Sequence, residues 1–206
     1  STKEVCERLK TETSTRKCAY SDLHPEMFGK ANVFVSHAWS YKFLEELVSA
    51  MEKWTTSQAT EKGGWCLWID IFVVNQHIAS LNDESNFRTF ASGFENVLKA
   101  IGRAVVVLSP WDNPAWMGRA WCLFEYYVIW SCNLAHSFVL PATVEDKFIS
   151  LLGQDDCKIL DVVSKLDMAN ATAFSAYDVQ NIKKMVRDKL GDFSQLNSAV
   201  IESLRT

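Results

Sequence analysis

The chain is poor in residues that interrupt regular structure: 8 Gly and 4 Pro in 206 residues leave little room for a loop-rich or low-complexity architecture. It also lacks an excess of either charge, with 21 basic against 25 acidic residues and a formal balance of -4. That balance argues against nucleic acid or an anionic membrane surface as the main partner. Long apolar runs are missing too. The longest near-apolar stretch, 120–130, contains Glu125 and is too short to span a bilayer. Residues 1–17 are charged and polar, unlike a secretory signal. Cys6, Cys18, Cys66, Cys122, Cys132 and Cys157 are scattered, and none forms a C-x-x-C pair. This is the usage of buried thiols in a reducing compartment, not of a disulfide framework or a zinc site, and a cytoplasmic domain is expected.

Several chemical signatures are absent as well. There is no G-x-G-x-x-G and no G-x-x-x-x-G-K-[ST], so neither a dinucleotide fingerprint nor a P-loop points to a cofactor. The nucleophile elbow G-x-S-x-G and the metal helix H-E-x-x-H are missing. His37 and His77 could meet in space, but each reads more simply as a hydrogen-bonding loop residue. No cofactor and no metal are expected.

What is present is a globular composition, with 48% hydrophobic and 22% charged residues. Trp at 8 and Phe at 12 speak against disorder and coiled coil. Residues 1–30 read as a short helix and loop extension, and 31–206 as a single domain. A strand over 32–36 is followed by a helical stripe over 41–54, with Ser40 as its expected N-cap. A polar loop over 55–64 leads to a second strand, 65–69, ending at Asp70. Phe87, Phe90, Phe94, Val97, Leu98 and Ile101 form another helical stripe, stopped by Gly102. The run 104–109 has the fully apolar character of a parallel-sheet strand. Residues 119–131 are apolar on all sides, so periodicity cannot decide between helix and strand. A short strand over 137–140 and a helix from about 143 follow, the latter with a capping-box-like start. Two further helices, near 175–190 and 192–204, have Ser175 and Asp192 as caps and Gly191 between them.

This alternation predicts an α/β fold with a doubly wound parallel sheet and extra C-terminal helices. Ligands of such folds bind beyond the carboxyl ends of the strands, where the strand order reverses. The chemistry is therefore expected in 36–41, 70–77 and 109–116, segments dense in Trp, His, Asn and Asp. Glu125 is the only carboxylate within 120–131, flanked by Trp121, Leu123, Phe124, Tyr126 and Tyr127. Such surroundings raise a carboxyl pKa unless a partner compensates. Glu125 is either functional, or paired with Arg119, Arg103 or a backbone N–H, or turned to the surface. Trp111 and Trp116 read as packing residues. Trp39, beside Ser36, His37 and Ser40 at a strand end, could pack or offer a ring face to a base. Asp70 is either ligand-facing or the cap of the next turn. The helix start near Tyr41 and Lys42 offers N–H groups suited to a phosphate.

Val33-Phe-Val-Ser36, followed by a polar loop and helix, resembles the first strand of TIR domains, and Trp121-Cys-Leu-Phe-Glu125 is similar to the W-C-L-x-E segment of plant-type members. F-V-S-H-A-W, W-I-D-I-F-x-x-N-Q-H, L-S-P-W-x-x-P and R-A-W-C-L-F-E resemble a divergent TIR-like group of multidomain proteins in algae, oomycetes and other protists. The matches cover roughly residues 30–140 in order. The His37-Ala-Trp39 loop and the long tail after 140 depart from typical members. The resemblance implies a flavodoxin-like sheet and a homo-oligomer assembled through the 71–81 loop. For catalytic members it implies cleavage of NAD, as substrate, to nicotinamide and ADP-ribose or a cyclised product. Glu125 then falls on the catalytic position, stabilising positive charge as the N-glycosidic bond breaks. Ser36, His37, Trp39, Ser40 and Tyr41 line the nicotinamide side, with Asp70 nearby and Trp111 opposite. The alternatives are a non-catalytic interaction module and a nucleoside deoxyribosyltransferase of the same fold.

Overall fold

The computed structural model describes residues 1–58, 64–77, 84–152, 168–173 and 175–204. Its centre is the strand β1 (Val33–Ser36), whose four residues are all buried. A strand hidden on both faces needs helices on both sides of its sheet, which is the parallel α/β solution. The described sheet has four strands, all parallel, in the order β2-β1-β3-β4, where β2 is Leu67–Trp68, β3 is Arg103–Val107 and β4 is Ala135–Val139. This 2-1-3-4 order belongs to the flavodoxin-like doubly wound class, whose order reverses between β1 and β3. Phe34, Val35 and Ser36 stand in register with Ala104, Val105 and Val106.

β2 is shorter than the apolar run 65–69 suggests. Asn32 explains this: its side-chain amide donates to the Gly64 carbonyl at 3.0 Å and its oxygen accepts from the Cys66 N–H at 2.9 Å. A side chain thus takes the Cys66 N–H, while the Cys66 carbonyl still accepts from the Asn32 backbone N–H at 2.9 Å.

Among the described residues the α-helices are α1 (Thr2–Glu12), α2 (Tyr20–Leu23), α3 (Ser49–Ser57), α4 (Asp70–Val73), α5 (Glu84–Ile101), α6 (Ala120–Ser131), α7 (Ala142–Leu152), α8 (Ala176–Leu190) and α9 (Ser194–Leu204). α5 and α6 pack on β1, while α3 packs on β4 and α7. Gly102 ends α5 with φ +77°, a conformation open to glycine at little cost. α8 is capped by the Ser175 side chain, as its sequence predicts. α9 opens at Ser194, whose N–H is taken by Asp192 at 2.8 Å. α7 begins one residue before the expected start at Thr143.

The expected helix over 41–54 needs correction. Phe43–Val48 is a π-helical turn that runs on into α3, and Ser40 does not cap it. The Lys42 N–H is held instead at 2.6 Å by the Glu46 side chain, which reaches back over the first turn. That carboxylate also occupies the N–H expected to be open to a phosphate, and its charge opposes an anion there. The expected loop over 55–64 is helical through Ser57, and 59–63 lies outside the described residues.

α6 resolves the ambiguity of 119–131 as a helix, apolar around its circumference because it is enclosed. The sheet lies before it and the C-terminal helices behind it. Ile182, Val186, Leu196 and Val200, each at 0% exposure, join the same core as Val35, Val105, Leu123 and Ile129. The Tyr126 hydroxyl donates to Ser203 Oγ at 2.7 Å, tying α6 to α9. At its start, the Ala120 N–H finds the Thr172 carbonyl at 2.8 Å and Thr172 N–H returns to Gly118 at 2.9 Å. One of the N–H groups that every helix start leaves unpaired is satisfied in this way.

α1 is docked by a smaller cluster of Cys6, Leu9 and Ile71. Its first N–H groups bond to the carbonyls of Tyr41 (2.7 Å) and Trp39 (3.0 Å). Of the cysteines, Cys6 and Cys122 are buried as expected, whereas Cys18, Cys66 and Cys132 are half-buried; Cys157 lies outside the described residues. No helix among the described residues is long and apolar enough to cross a membrane.

Candidate active site

At the carboxyl ends of the neighbouring strands β1 and β3 stand Ser36 and, two residues beyond β3, Ser109, both fully buried. Facing Ser36 is Glu125, set in the middle of α6. The Ser36 hydroxyl donates to Glu125 Oε2 at 2.5 Å and accepts from the Trp116 indole N–H at 2.7 Å. None of the three partners weighed from the sequence for Glu125 is involved in this contact; a serine from the neighbouring strand is. Burial holds the Glu125 carboxyl well above the usual carboxylate range, the Ser36 bond pulls it down, and the Asp70 charge pushes it up again. The residue nevertheless keeps partial solvent access. A desolvated carboxyl that still reaches solvent is suited either to proton transfer or, once ionised, to stabilising a cation.

Asp70 opens α4 directly after β2 and organises a second group. Its Oδ2 accepts from the Trp39 indole at 2.7 Å and its Oδ1 from the Ile71 N–H at 2.8 Å. The Ile71 bond lies within its own first turn, whose N-cap is Ile69 with no side-chain bond, and Asp70 also stands near a buried histidine. His37 Nε2 lies 3.7 Å from Asp70 Oδ1 and has no hydrogen-bond partner. The His37 carbonyl accepts from the Cys122 thiol at 3.4 Å, and burial raises that thiol's pKa, which leaves it a poor nucleophile.

The other expected site residues take different places. Ser40 is exposed on the turn after β1. Tyr41 is buried, and its hydroxyl is fully engaged: it donates to the Val107 carbonyl and accepts from the Ser109 N–H, both at 3.1 Å. This is a brace across the ends of β1 and β3. Trp111 is half-buried, with its ring 5.5 Å from that of Phe148 on α7. His37 and His77 do not share a site, since His77 Nε2 lies 2.8 Å from the Thr13 hydroxyl. Among the described residues no group of three or more His, Cys, Asp or Glu could hold a metal ion.

Two features escape a reading of the sequence. Trp116, taken as a packing residue, is completely buried yet carries the polar link to Ser36. The available signal was chemical, because a buried indole N–H needs an acceptor and a strand-end serine is a ready one. Glu46 also bonds the Ser109 hydroxyl, closing the far side of the same strand ends. Comparison of the chain with family models, with curated proteins and with solved structures returned no match.

Proposed function

We propose that the protein is a TIR-like NAD glycohydrolase of the cytoplasm that breaks the bond between nicotinamide and ribose. The observation that carries this reading is the Glu125 carboxyl, desolvated on a core helix and bonded to Ser36 beside the point where the strand order reverses. Sites at that position are the usual ligand sites of doubly wound sheets.

The chemistry asks little of the protein beyond charge placement. As the N-glycosidic bond breaks, nicotinamide leaves with the bonding electron pair and is neutral, so no acid need protonate it. Positive charge builds on the ribose, and an ionised Glu125 in a low-dielectric setting stabilises it. Water then adds to the ribose carbon and gives up a proton, yielding ADP-ribose; attack by a group within the same nucleotide gives a cyclic product. A cationic pyridinium beside Glu125 favours the carboxylate, so substrate binding itself ionises the residue. Trp39 and Trp111 supply ring faces for the base, and assembly through the 71–81 loop, described only as far as His77, activates the site.

Incubation of the purified protein with NAD, dilute and concentrated, tests the reading when nicotinamide is quantified beside Glu125→Gln. Release that depends on protein concentration and disappears in the variant is expected. Release unaffected by Glu125→Gln refutes the assignment of the residue. Absence of release at every concentration favours a non-catalytic interaction module, and turnover of free nucleosides without action on NAD favours a deoxyribosyltransferase.

A further inference from the structure

We infer that Trp116 is a positioning residue whose indole N–H biases the Ser36 hydroxyl toward donating to Glu125 Oε2, so that the pair of bonds favours the ionised carboxylate. Its consequence for catalysis rests on the glycohydrolase reading, but the hydrogen-bond logic does not. An indole N–H can only donate, so the Ser36 oxygen, 2.7 Å away, must accept from it. The single hydroxyl proton of Ser36 is then left for Glu125 Oε2 at 2.5 Å. Trp116 has no exposed surface, and its ring is wedged edge-on between Tyr126 at 5.9 Å and Phe138 at 6.0 Å. The donor therefore cannot turn away without repacking the core.

Directionality matters because a serine hydroxyl ordinarily serves a carboxyl in either state. It donates to the carboxylate and, after rotation, accepts from the acid. With Trp116 in place one of the two lone pairs of the Ser36 oxygen is taken, so accepting from the acid would turn the hydroxyl proton away from its carboxylate acceptor, and the second arrangement is disfavoured. The relay thus favours the ionised form and works against the burial and the Asp70 charge that favour the neutral one. Few other groups enter this balance. Asp70 of α4 and Cys122 of α6 face Glu125. Glu95 of α5, Asp178 of α8 and Glu202 of α9 face Tyr127, Trp121 and Tyr126 instead, and His37 faces Asp70.

The test is a titration of the full chain by NMR, with glutamate carbon-13 labelled at the side-chain carboxyl and tryptophan nitrogen-15 labelled at the indole. Glu125→Gln identifies the resonance of Glu125. In the wild type the Trp116 indole signal is expected to titrate with the Glu125 midpoint, and to stay flat in Glu125→Gln. Trp116→Phe keeps a ring in place but frees the hydroxyl, and the Glu125 midpoint moves up by on the order of one pH unit. Ser36→Ala moves it up as well, and adding Trp116→Phe to Ser36→Ala moves it no further. An unchanged midpoint in Trp116→Phe, or an equal extra shift on the Ser36→Ala background, overturns the inference. If Trp116→Phe fails to fold, the wild-type titration decides alone, and an indole signal that ignores Glu125 overturns it. A coupled titration in a protein that cleaves no NAD upholds the relay and refutes the glycohydrolase reading. Cleavage with an uncoupled titration does the reverse.

Discussion

Tyr41→Phe separates a structural brace from a substrate contact at a residue the sequence assigns to the site. The change deletes one oxygen and keeps the ring. In the folded protein that oxygen accepts from the Ser109 N–H and donates to the Val107 carbonyl. Ser109 is fully buried, so no water replaces the lost acceptor. An orphaned buried N–H costs about 1–3 kcal/mol, and a carbonyl with a second lone pair loses less. A total near 2 kcal/mol is expected, which for a chain of this length lowers Tm by about 4–8 °C. Stabilities of about 5–15 kcal/mol absorb such a loss, so the variant folds. The assay is a thermal melt beside amide exchange at Ser109, whose protection should fall. NAD turnover per folded molecule, measured well below Tm, is expected to match the wild type. An unchanged Tm together with weakened turnover would refute the brace and return Tyr41 to the substrate.

Glu125→Gln should also change how stability depends on pH. Because burial raises this carboxyl in the folded state, its contribution is fully present below the ordinary carboxylate range and lost as pH rises through the folded value. The glutamine variant carries no such loss, so its urea midpoint should gain on the wild type as pH rises above the ordinary carboxylate range; parallel curves would contradict the burial argument. Gly102→Ala places a side chain at φ +77° with nothing within 4 Å, so only backbone strain is felt, about 1–2 kcal/mol by chemical denaturation. An undisturbed midpoint would mean that the helix end relaxes. Ile182→Ala, at 0% exposure on α8, should cost about 2–5 kcal/mol in a single cooperative transition. A separate early transition would show the C-terminal helices unfolding on their own.

The sheet was legible because its signal is composition: β1 and all of β3 but Arg103 lie within the short apolar runs 32–36 and 104–109. Gly102 and Ser175 marked helix ends through chemistry that acts within a few residues. Glu125 stood out for the same local reason, a lone carboxylate in an apolar segment. What could not be read depends on distant partners. The start of the π-helical turn leading into α3 departs from expectation because the Glu46 side chain, not Ser40, takes the Lys42 N–H. α6 was undecidable because apolar residues on all sides erase periodicity. Trp116 and Tyr41 exchange the roles expected of them, since the direction of an indole N–H or a phenol hydroxyl is fixed by residues 80 and 66 positions away.

The enclosure of α6 has a mechanical meaning. A helix that rests on solvent along one side can roll or slide, and residues on it can be swung toward or away from a ligand. α6 shows only part of its length to solvent, half-buried at Trp121, Glu125, Tyr127 and Trp130 and exposed at Ser131: the sheet, α5, α8 and α9 hold it, Thr172 pins its first turn and Ser203 grips it from behind. Glu125 therefore sits on the anvil of the site rather than on its hammer. Any adjustment to an incoming molecule falls to the facing side, where Ser40 is exposed and α1 is clasped to the carbonyls of Trp39 and Tyr41.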